Sequence, residues 1–352
     1  MKKSFCLLCC ALFSAVVFEA SAVDGNSQDS LRYDKSMAAR AINPVSLFSL
    51  KFGRGENEVS GDKEDEKRIS YGVPYAFLPL KDGSVWVLDT IARRLKHFNP
   101  TGAFLEEINL EAISSGNAPI RDFAPGPENG FYFFSTEDSK VYRTDSSGKI
   151  ICEIEGLDDT WSLMSDREGN VWVDNPRMRS VFCFNPSGEL VEKFHDIEGL
   201  TNIRSSDGKL FGIKGDDYSA VIYRTQAEPQ KGAKIIGTDR PAAPVIEMAT
   251  IRLEDASAKK IGYVDKRILG LDDRGNMYFS LVACDENGTI YQNRIYRIPE
   301  NGGQFKFWEI ISAPCFSPDL PRHLSVMPDG RIMGFSVQGE TYNLIAYTLP
   351  ES

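Results

Sequence analysis

The stretch DGSVWVLDTIARRLKHFNPTG, residues 82–102, determines the fold, because versions of its first residues recur along the chain. In each copy a glycine preceded by a polar residue opens a short apolar or aromatic run. The six glycines are Gly83, Gly130, Gly169, Gly208, Gly275 and Gly330. A short repeat cannot bury its apolar face alone, so these units are expected to stack on one another.

The spacing and turn residues of the repeat predict its architecture. Successive glycines are 47, 39, 39, 67 and 55 residues apart, and the shortest intervals approach the ~40–45 residues of a four-stranded propeller blade. Asn99-Pro100-Thr101-Gly102 reads as a hairpin turn, in which proline fixes one φ and glycine supplies a positive one. The alternating strand that follows completes strands a, b, c and d of one blade.

The last copy lacks a fourth strand, since the chain ends at Ser352 soon after the apolar run 344–347. The segment 46–53 precedes the first copy and is predicted to supply that outer strand, with an unpaired linker strand as the alternative. The fold class predicted is therefore an all-β, six-bladed β-propeller of four-stranded antiparallel blades, closed by an N-terminal strand. Residues 46–352 form its single domain.

Two long intervals predict additions to the ring. The 67-residue interval predicts an insertion at 226–266, between blades four and five, and the 55-residue interval predicts a longer b–c hairpin at 283–293. The charged segment 54–68 is expected to be a solvated loop.

The N-terminus predicts export. Residues 1–22 combine Lys2 and Lys3 with an apolar run and the sequence Ala20-Ser21-Ala22, which is typical of a signal peptide cleaved after Ala22. We expect a flexible segment at 23–45 and a periplasmic or extracellular location. A membrane anchor and a lipid anchor on Cys10 are the alternatives.

Charge and composition exclude one class of partner. The chain has 40 Lys and Arg against 50 Asp and Glu, a formal charge of −10. Nucleic-acid affinity comes mostly from clustered basic residues, so a general nucleic-acid partner is not expected. No segment after the signal is long and apolar enough to span a membrane.

The four cysteines outside the signal give one predicted disulfide. Connections b–c and d–a emerge on the same face of a propeller, which favours a bond between Cys284 and Cys315. Cys152 and Cys183 are expected to be free thiols in strands. The chain has only three histidines and no CxxC pair, so a structural zinc site is not expected. No cofactor is predicted, since no sequence motif supports the binding of calcium or zinc.

A candidate ligand site follows from counting back about eight residues from each blade glycine, to where the innermost strands begin. These positions, with the histidine beside the last one, are Tyr75, Arg121, Trp161, Leu200, Arg267, Arg322 and His323. Arginine suits carboxylates or phosphates and aromatic rings stack on sugars or peptides, so an anionic, glycan-like or protein ligand is predicted at this mouth. In the alternative, the arginines pair with nearby acids, among them Asp122, Asp158, Asp159 and Asp265.

The unit 82–102, and less closely 168–188, resembles an NHL repeat of exported bacterial six-bladed propellers. This resemblance implies a scaffold or ligand-binding protein, although the family also includes lyases and lactonase relatives. Those lyases use histidines and a metal, for which His195 and His323 are the candidates here. The predicted function is a ligand- or protein-binding module, with a metal-assisted lyase or hydrolase acting on a small or glycan-like substrate as the alternative. The catalytic residues stay unknown.

Overall fold

The computed structural model describes most of the repeat array, and the described residues all lie in the compact unit Leu31–Ser352. They are residues 40–61, 73–74, 76–113, 120–160, 162–175, 180–195, 203–204, 210–214, 219–225, 245–252, 261–286, 290–300, 304–310, 322 and 324–350.

The first strands precede the ring or belong to its first half. They are β1 (Arg40–Ile42), β2 (Val45–Phe52) and β3 (Glu58–Val59); in blade one β4 (Ala76–Pro79), β5 (Val85–Asp89), β6 (Arg94–Phe98) and β7 (Phe104–Asn109); in blade two β8 (Ile120–Pro125), β9 (Phe131–Ser135), β10 (Lys140–Thr144) and β11 (Ile150–Ile154); in blade three β12 (Ser162–Ser165), β13 (Val171–Asn175), β14 (Ser180–Phe184) and β15 (Leu190–His195). A 3-10 turn, Pro127–Asn129, precedes β9.

The second half of the ring continues the pattern. Its strands are β16 (Ile203–Arg204), β17 (Leu210–Lys214), β18 (Ser219–Thr225) and β19 (Val245–Arg252) in blade four; β20 (Ile261–Leu271), β21 (Met277–Asp285), β22 (Ile290–Ile298) and β23 (Lys306–Ile310) in blade five; β24 (Leu324–Val326), β25 (Ile332–Gln338) and β26 (Thr341–Tyr347) in blade six. The predicted all-β, six-bladed β-propeller is confirmed. The b strands are the most buried, because they lie between a and c and pack on both faces, as in β5.

The N-terminal segment closes the ring. Strand β2 pairs antiparallel with β26, from Val45 opposite Ala346 to Lys51 opposite Thr341, and is the outer strand of blade six, as predicted. Two further pairings were not predicted. Strand β3 pairs parallel with β2, and β1 pairs parallel with β23 of blade five. The segment thus lines the outer edges of two neighbouring blades.

The predicted insertion 226–266 contains strands of the blades themselves. Strand β19 pairs antiparallel with β18 as the outer strand of blade four, and β20 begins at Ile261 as the inner strand of blade five. Strands β20, β21 and β22 have 11, 9 and 9 residues, against 4, 5 and 5 for the first three strands of blade one. Blade five therefore has longer strands than blade one.

The c–d turns of the first three blades share one construction. Asn99 Oδ1 accepts hydrogen bonds from the amides of Thr101 and Ala103, and Asp145 and Asn185 do the same in the next blades. The turn glycine then has a φ of 84° at Gly102, 87° at Gly148 and 84° at Gly188. Only glycine adopts this conformation without strain.

The same three glycines pack on the outer strand of the preceding blade. A methyl group on Gly148 would lie 2.6 Å from Ile108 of β7, and one on Gly188 would lie 3.2 Å from Cys152 of β11. On Gly102 it would lie 2.7 Å from the Phe48 ring of β2. Strand β2 therefore contacts blade one as β7 contacts blade two and β11 contacts blade three. The junction that closes the ring is built like the junctions between these successive blades.

The loop between β2 and β3 docks on blade one. Lys96, 1% exposed, donates hydrogen bonds of 2.7 Å to the carbonyl oxygens of Gly55 and Glu58. The buried carboxylate of Asp89 accepts the amide of Ser60 at 2.9 Å. Residues 54–57 are exposed, as expected of a solvated loop, whereas residues 58–61 are half-buried or buried, and the backbone groups of the segment supply the partners of two buried charged side chains.

We expect Gly102→Ala to destabilise the protein more than Gly156→Ala. Both positions have positive φ, which costs alanine about 1–2 kcal/mol, but nothing lies within 4 Å of a methyl group at Gly156. The collision with Phe48 adds about 1–3 kcal/mol at Gly102. Urea unfolding of the two variants measures the difference, and equal losses would show that the joint tolerates the methyl group.

Lys96→Met should lower the free energy of unfolding by about 1–3 kcal/mol, because methionine keeps the packing but leaves two carbonyl oxygens without their donor. Lys51→Met, at an exposed position of β2, is the control and should cost under about 0.5 kcal/mol. Chemical denaturation checks both, and a loss no larger at Lys96 than at Lys51 would contradict the docking role.

Candidate functional site

The structure describes three of the predicted mouth residues. Arg121 is half-buried on β8, Arg267 is buried on β20, and Arg322 lies two residues before β24. The other positions lie outside the described residues; they are Tyr75, Trp161, Leu200 and His323.

Arg322 connects blades across the channel. Its Nε lies 3.1 Å from Asp122 Oδ1 on β8 of blade two, and its Nη2 donates to the carbonyl oxygen of Leu163 on β12 of blade three. Blade six stands opposite blade three in a six-bladed ring. The guanidinium therefore joins inner strands that are far apart around the ring, and we call these three residues the cross-channel clasp.

Asp122 is the most enclosed charged group of the clasp. The residue is fully buried, and its Oδ2 accepts the amide of Leu163 at 2.7 Å. Burial raises the pKa of the Asp122 carboxyl, and the positive charge of Arg322 opposes that rise. Oδ1 is in the ion pair but accepts no hydrogen bond from any described residue. Buried ion pairs add little stability over apolar packing, and ionisable groups with shifted pKa values cluster at functional sites, which makes Asp122 a candidate site residue.

A second polar group lies on blade five. Tyr263, Asp265 and Arg267 alternate along β20 and share one face of the sheet. Arg267 Nε donates to Asp265 Oδ1 at 3.0 Å, and the Tyr263 hydroxyl donates to the same oxygen at 3.2 Å. Burial raises the pKa of the Asp265 carboxyl, and the charge of Arg267 opposes it.

These contacts show how the predicted arginines are held. Arg267 and Arg322 each pair with an aspartate, as the alternative interpretation of the sequence proposed, so their charges are balanced within the protein. Both acids were predicted from the sequence as partners of the arginines, whereas Tyr263 was not predicted. The sequence signal for Tyr263 is its alternation with Asp265 and Arg267, which places the three side chains on one face of a strand. This signal is readable only when the strand is known to begin at Ile261.

The structure describes only one of the two cysteines of the predicted disulfide. Cys284 is buried, burial raises the pKa of its thiol, and it has no disulfide partner among the described residues. Cys315 lies outside them, so the bond stays a prediction. Neither Cys152 nor Cys183 forms a disulfide with a described residue.

The described residues bring together no three His, Cys, Asp or Glu side chains that could hold a metal ion. His97 stacks on Trp86 in blade one, with ring centroids 4.2 Å apart, and its Nε2 lies 2.9 Å from Ser84 Oγ. The side chain of His195 is outside the described part of the chain. Within that part, no helix is long and apolar enough to cross a membrane.

Solved structures of similar fold come from several bacteria. A member of the DUF4221 family from Bacteroides vulgatus ATCC 8482 is 10% identical, with a TM-score of 0.51 over 90% of this chain and 100% of that one. A Bacteroides fragilis NCTC 9343 protein classed as exported is also 10% identical, with a TM-score of 0.50 over 89% and 99%. Virginiamycin B lyase from Staphylococcus aureus is 12% identical, with a TM-score of 0.47 over 86% and 98%.

No protein-family model and no curated protein sequence matches the chain. The identities to the two Bacteroides proteins are low, so these likenesses establish the propeller fold alone.

Arg322→Met should destabilise the protein by about 2–4 kcal/mol near neutral pH, because it leaves the Asp122 carboxylate buried without its counter-charge. Arg322 lowers the pKa of Asp122, so its removal raises that pKa further. The loss should shrink as the pH falls from neutral through these raised pKa values, because the carboxyl of the variant takes up a proton well above the ordinary aspartate pKa of about 4 and then needs no counter-charge.

Arg331→Met is the matched control, since Arg331 pairs with exposed Asp329 in the a–b turn of the same blade. It should cost under about 1 kcal/mol. Denaturation at several pH values provides the measurement, and a loss at Arg322 that is independent of pH would contradict the clasp.

Proposed function

We propose that the protein is an exported, NHL-like β-propeller that acts as a ligand- or protein-binding module, with the ligand bound at the mouth formed by the d–a and b–c connections. The observation that carries this proposal is the cross-channel clasp. It gathers Arg322, Asp122 and Leu163 from three blades at the start of their inner strands.

The clasp is suited to binding because it is rigid before a ligand arrives. Asp122 is anchored by a backbone amide of blade three, and Arg322 is anchored by both Asp122 and a backbone carbonyl. The Arg322 side chain keeps 17% of its surface exposed. A guanidinium held in place presents its donors with little loss of side-chain entropy on binding.

The balance of charge narrows the ligand class. Because Arg267 and Arg322 are each paired with an aspartate, neither arginine brings an uncompensated positive charge to the mouth. This balance suits a ligand with hydroxyl or single carboxylate groups better than a polyanion. A small polar or glycan-like ligand therefore fits best among the anionic, glycan-like and protein ligands that the sequence predicts.

An enzyme is the second candidate, and one observation favours it. Burial raises the pKa of Asp122, and perturbed carboxyls in channels are typical of general acids and bases. The histidines that a metal-assisted lyase would use, His195 and His323, have side chains outside the described residues.

Isothermal titration calorimetry with malate, galacturonate and maltose tests the binding function. We expect at least one of these probes to bind the mature protein and Arg322→Gln to weaken that binding about tenfold or more, because the mutation removes the anchored guanidinium. Arg331→Gln, on the opposite face of blade six, should bind as the wild type does.

Arg322→Lys keeps the charge and controls for folding, which circular dichroism verifies for every variant. Failure of all three probes, or binding unchanged in Arg322→Gln, would contradict a mouth site. Mass spectrometry of the same samples tests the enzyme alternative, which would be favoured if a bound probe were converted to a product.

A further inference from the structure

The a–b turn of blade one is tied to its sheet differently from the turn of blade three. In blade three the carboxylate of Asp166, at the first turn position, accepts the Trp172 indole N–H at 2.9 Å, and a tyrosine donates to the equivalent aspartate of blade five. Leu80 makes the same backbone turn in blade one. Its apolar side chain cannot accept a hydrogen bond from Trp86, which stands in the place of Trp172. Another side chain makes this connection in blade one.

That side chain is His97 on β6, which lies between Trp86 of β5 and Glu106 of β7 in the register of the sheet. Its ring stacks on the indole of Trp86, with centroids 4.2 Å apart and planes inclined by 11°. Nε2 lies 2.9 Å from Ser84 Oγ at the end of the turn, and Nδ1 lies 3.2 Å from Glu106 Oε1. The imidazole therefore connects the turn with the outer strand of the same blade.

The hydrogen atoms around His97 follow from the acceptors that face it. Ser84 Oγ lies 2.6 Å from Asp82 Oδ1, and hydrogen bonds from Ser84 lower the pKa of Asp82, so this carboxyl group is ionised and only accepts. Ser84 therefore donates its one hydroxyl hydrogen to Asp82 and accepts one from Nε2. The carboxylate of Glu106 also only accepts, so Nδ1 donates as well. Both nitrogens carry hydrogen only in the imidazolium form, which is the form that this geometry fits.

The other groups around the imidazole favour its positive charge. Among the described residues, the charged groups that face it are Asp82 of the turn and Glu106 of β7, and both are acidic. The Trp86 ring covers one of its faces, and Phe131 of blade two contacts that indole with centroids 5.0 Å apart. The face of an indole attracts a cation. Contacts that favour the protonated form stabilise the folded protein at acidic pH, and this contribution is lost as the pH rises.

A serine, a histidine and a glutamate in this order resemble a catalytic triad, but the exposure and the hydrogen bonds of Ser84 exclude that role. In a triad the serine hydroxyl donates to the histidine and attacks the substrate. Here Ser84 is 1% exposed and donates to Asp82. Glu106, by contrast, has 62% of its side chain exposed, so it has room to move when its contact ends. The group is therefore suited to hold and release Glu106 rather than to carry out catalysis.

Loss of a proton from His97 changes the contact with Glu106 first. Ser84 still requires a donor at Nε2, so the proton leaves Nδ1. Two acceptors then face each other, which ends the attraction between Nδ1 and the carboxylate. Strand β7 also forms the junction with blade two, where Ile108 lies against Gly148 of the c–d turn. The charge of His97 therefore acts on the strand that joins the first two blades.

We propose that His97 is a pH-sensitive latch: its protonated form holds Glu106 of β7 to the a–b turn, and loss of the Nδ1 proton releases that glutamate. Histidine is the side chain that changes charge between about pH 5 and 8. The latch is therefore closed in acidic surroundings and open in alkaline ones. The proposal is independent of the ligand-binding function, because none of its residues belongs to the mouth.

Hydrogen exchange followed by mass spectrometry tests the latch in the mature protein at about pH 5.5 and about pH 8.5. Relative to the wild type at the same pH, we expect Glu106→Ala to speed exchange of the β7 amides about two- to fivefold at the acidic pH, as expected for an exposed ion pair, and to leave it unchanged at the alkaline pH. Glu106→Gln should protect β7 equally at both, because its amide accepts from the charged ring and donates to the neutral one. Glu107→Ala is the control, since its partner Arg94 on β6 keeps its charge throughout, so its effect should be the same at both pH values.

Heteronuclear NMR of the histidine ring, assigned with the His97→Gln variant, provides the second measurement. We expect hydrogen on both nitrogens at the acidic pH and on Nε2 alone at the alkaline pH. Circular dichroism verifies the fold of each variant. An effect of Glu106→Ala that is equal at both pH values overturns the latch, as does a neutral ring that keeps its hydrogen on Nδ1.

Discussion

The hydrogen bonds between β2 and β26 are the constraint on which the rest of the ring depends. Without them blade six would lack its outer strand, and blade one would lose the surface on which its c–d turn packs. Phe48 shows both roles, because its backbone pairs opposite Leu344 while its ring lies against Gly102 and Phe98. The same apolar cluster contains residues of β2, blade six, blade one and blade two. Closure therefore couples blades that are distant in sequence.

Different interactions hold neighbouring blades together around the ring and hold opposite blades together across the channel. Around the circumference, apolar faces and strand pairing join each blade to the next, and these contacts supply most of the stability. Across the channel, Arg322 reaches Asp122 and Leu163 through an ion pair and a hydrogen bond. Because a buried ion pair gives little net stability, the clasp is better understood as a device that sets the position of three inner strands. A mouth built on these strands keeps its shape when a ligand binds.

The sequence predicted the features that local chemistry specifies. The turns at Asn99, Asp145 and Asn185 form within a few residues, so their pattern indicates the blades directly. Strands β1 and β3 could not be predicted, because parallel pairs of two or three residues leave no periodic signal. At the mouth, the sequence placed arginines where inner strands begin and named Asp122 among their possible partners, but it could not assign this residue to Arg322, which lies 200 positions away. Tyr263 escaped prediction because its exposure depends on how far β20 extends beyond the ring.

The long sheet of blade five also depends on the closing segment. A sheet that projects beyond its neighbours has fewer contacts and needs support from its outer edge. Strand β1 provides part of that support by pairing with β23. On β23, Glu309 accepts hydrogen bonds from Arg294 Nε at 2.8 Å and from the Asn293 amide at 3.0 Å. The N-terminal segment thus pairs with the strand whose Glu309 holds Arg294 and the backbone of Asn293, so the contacts that close the ring also stabilise the long sheet of blade five.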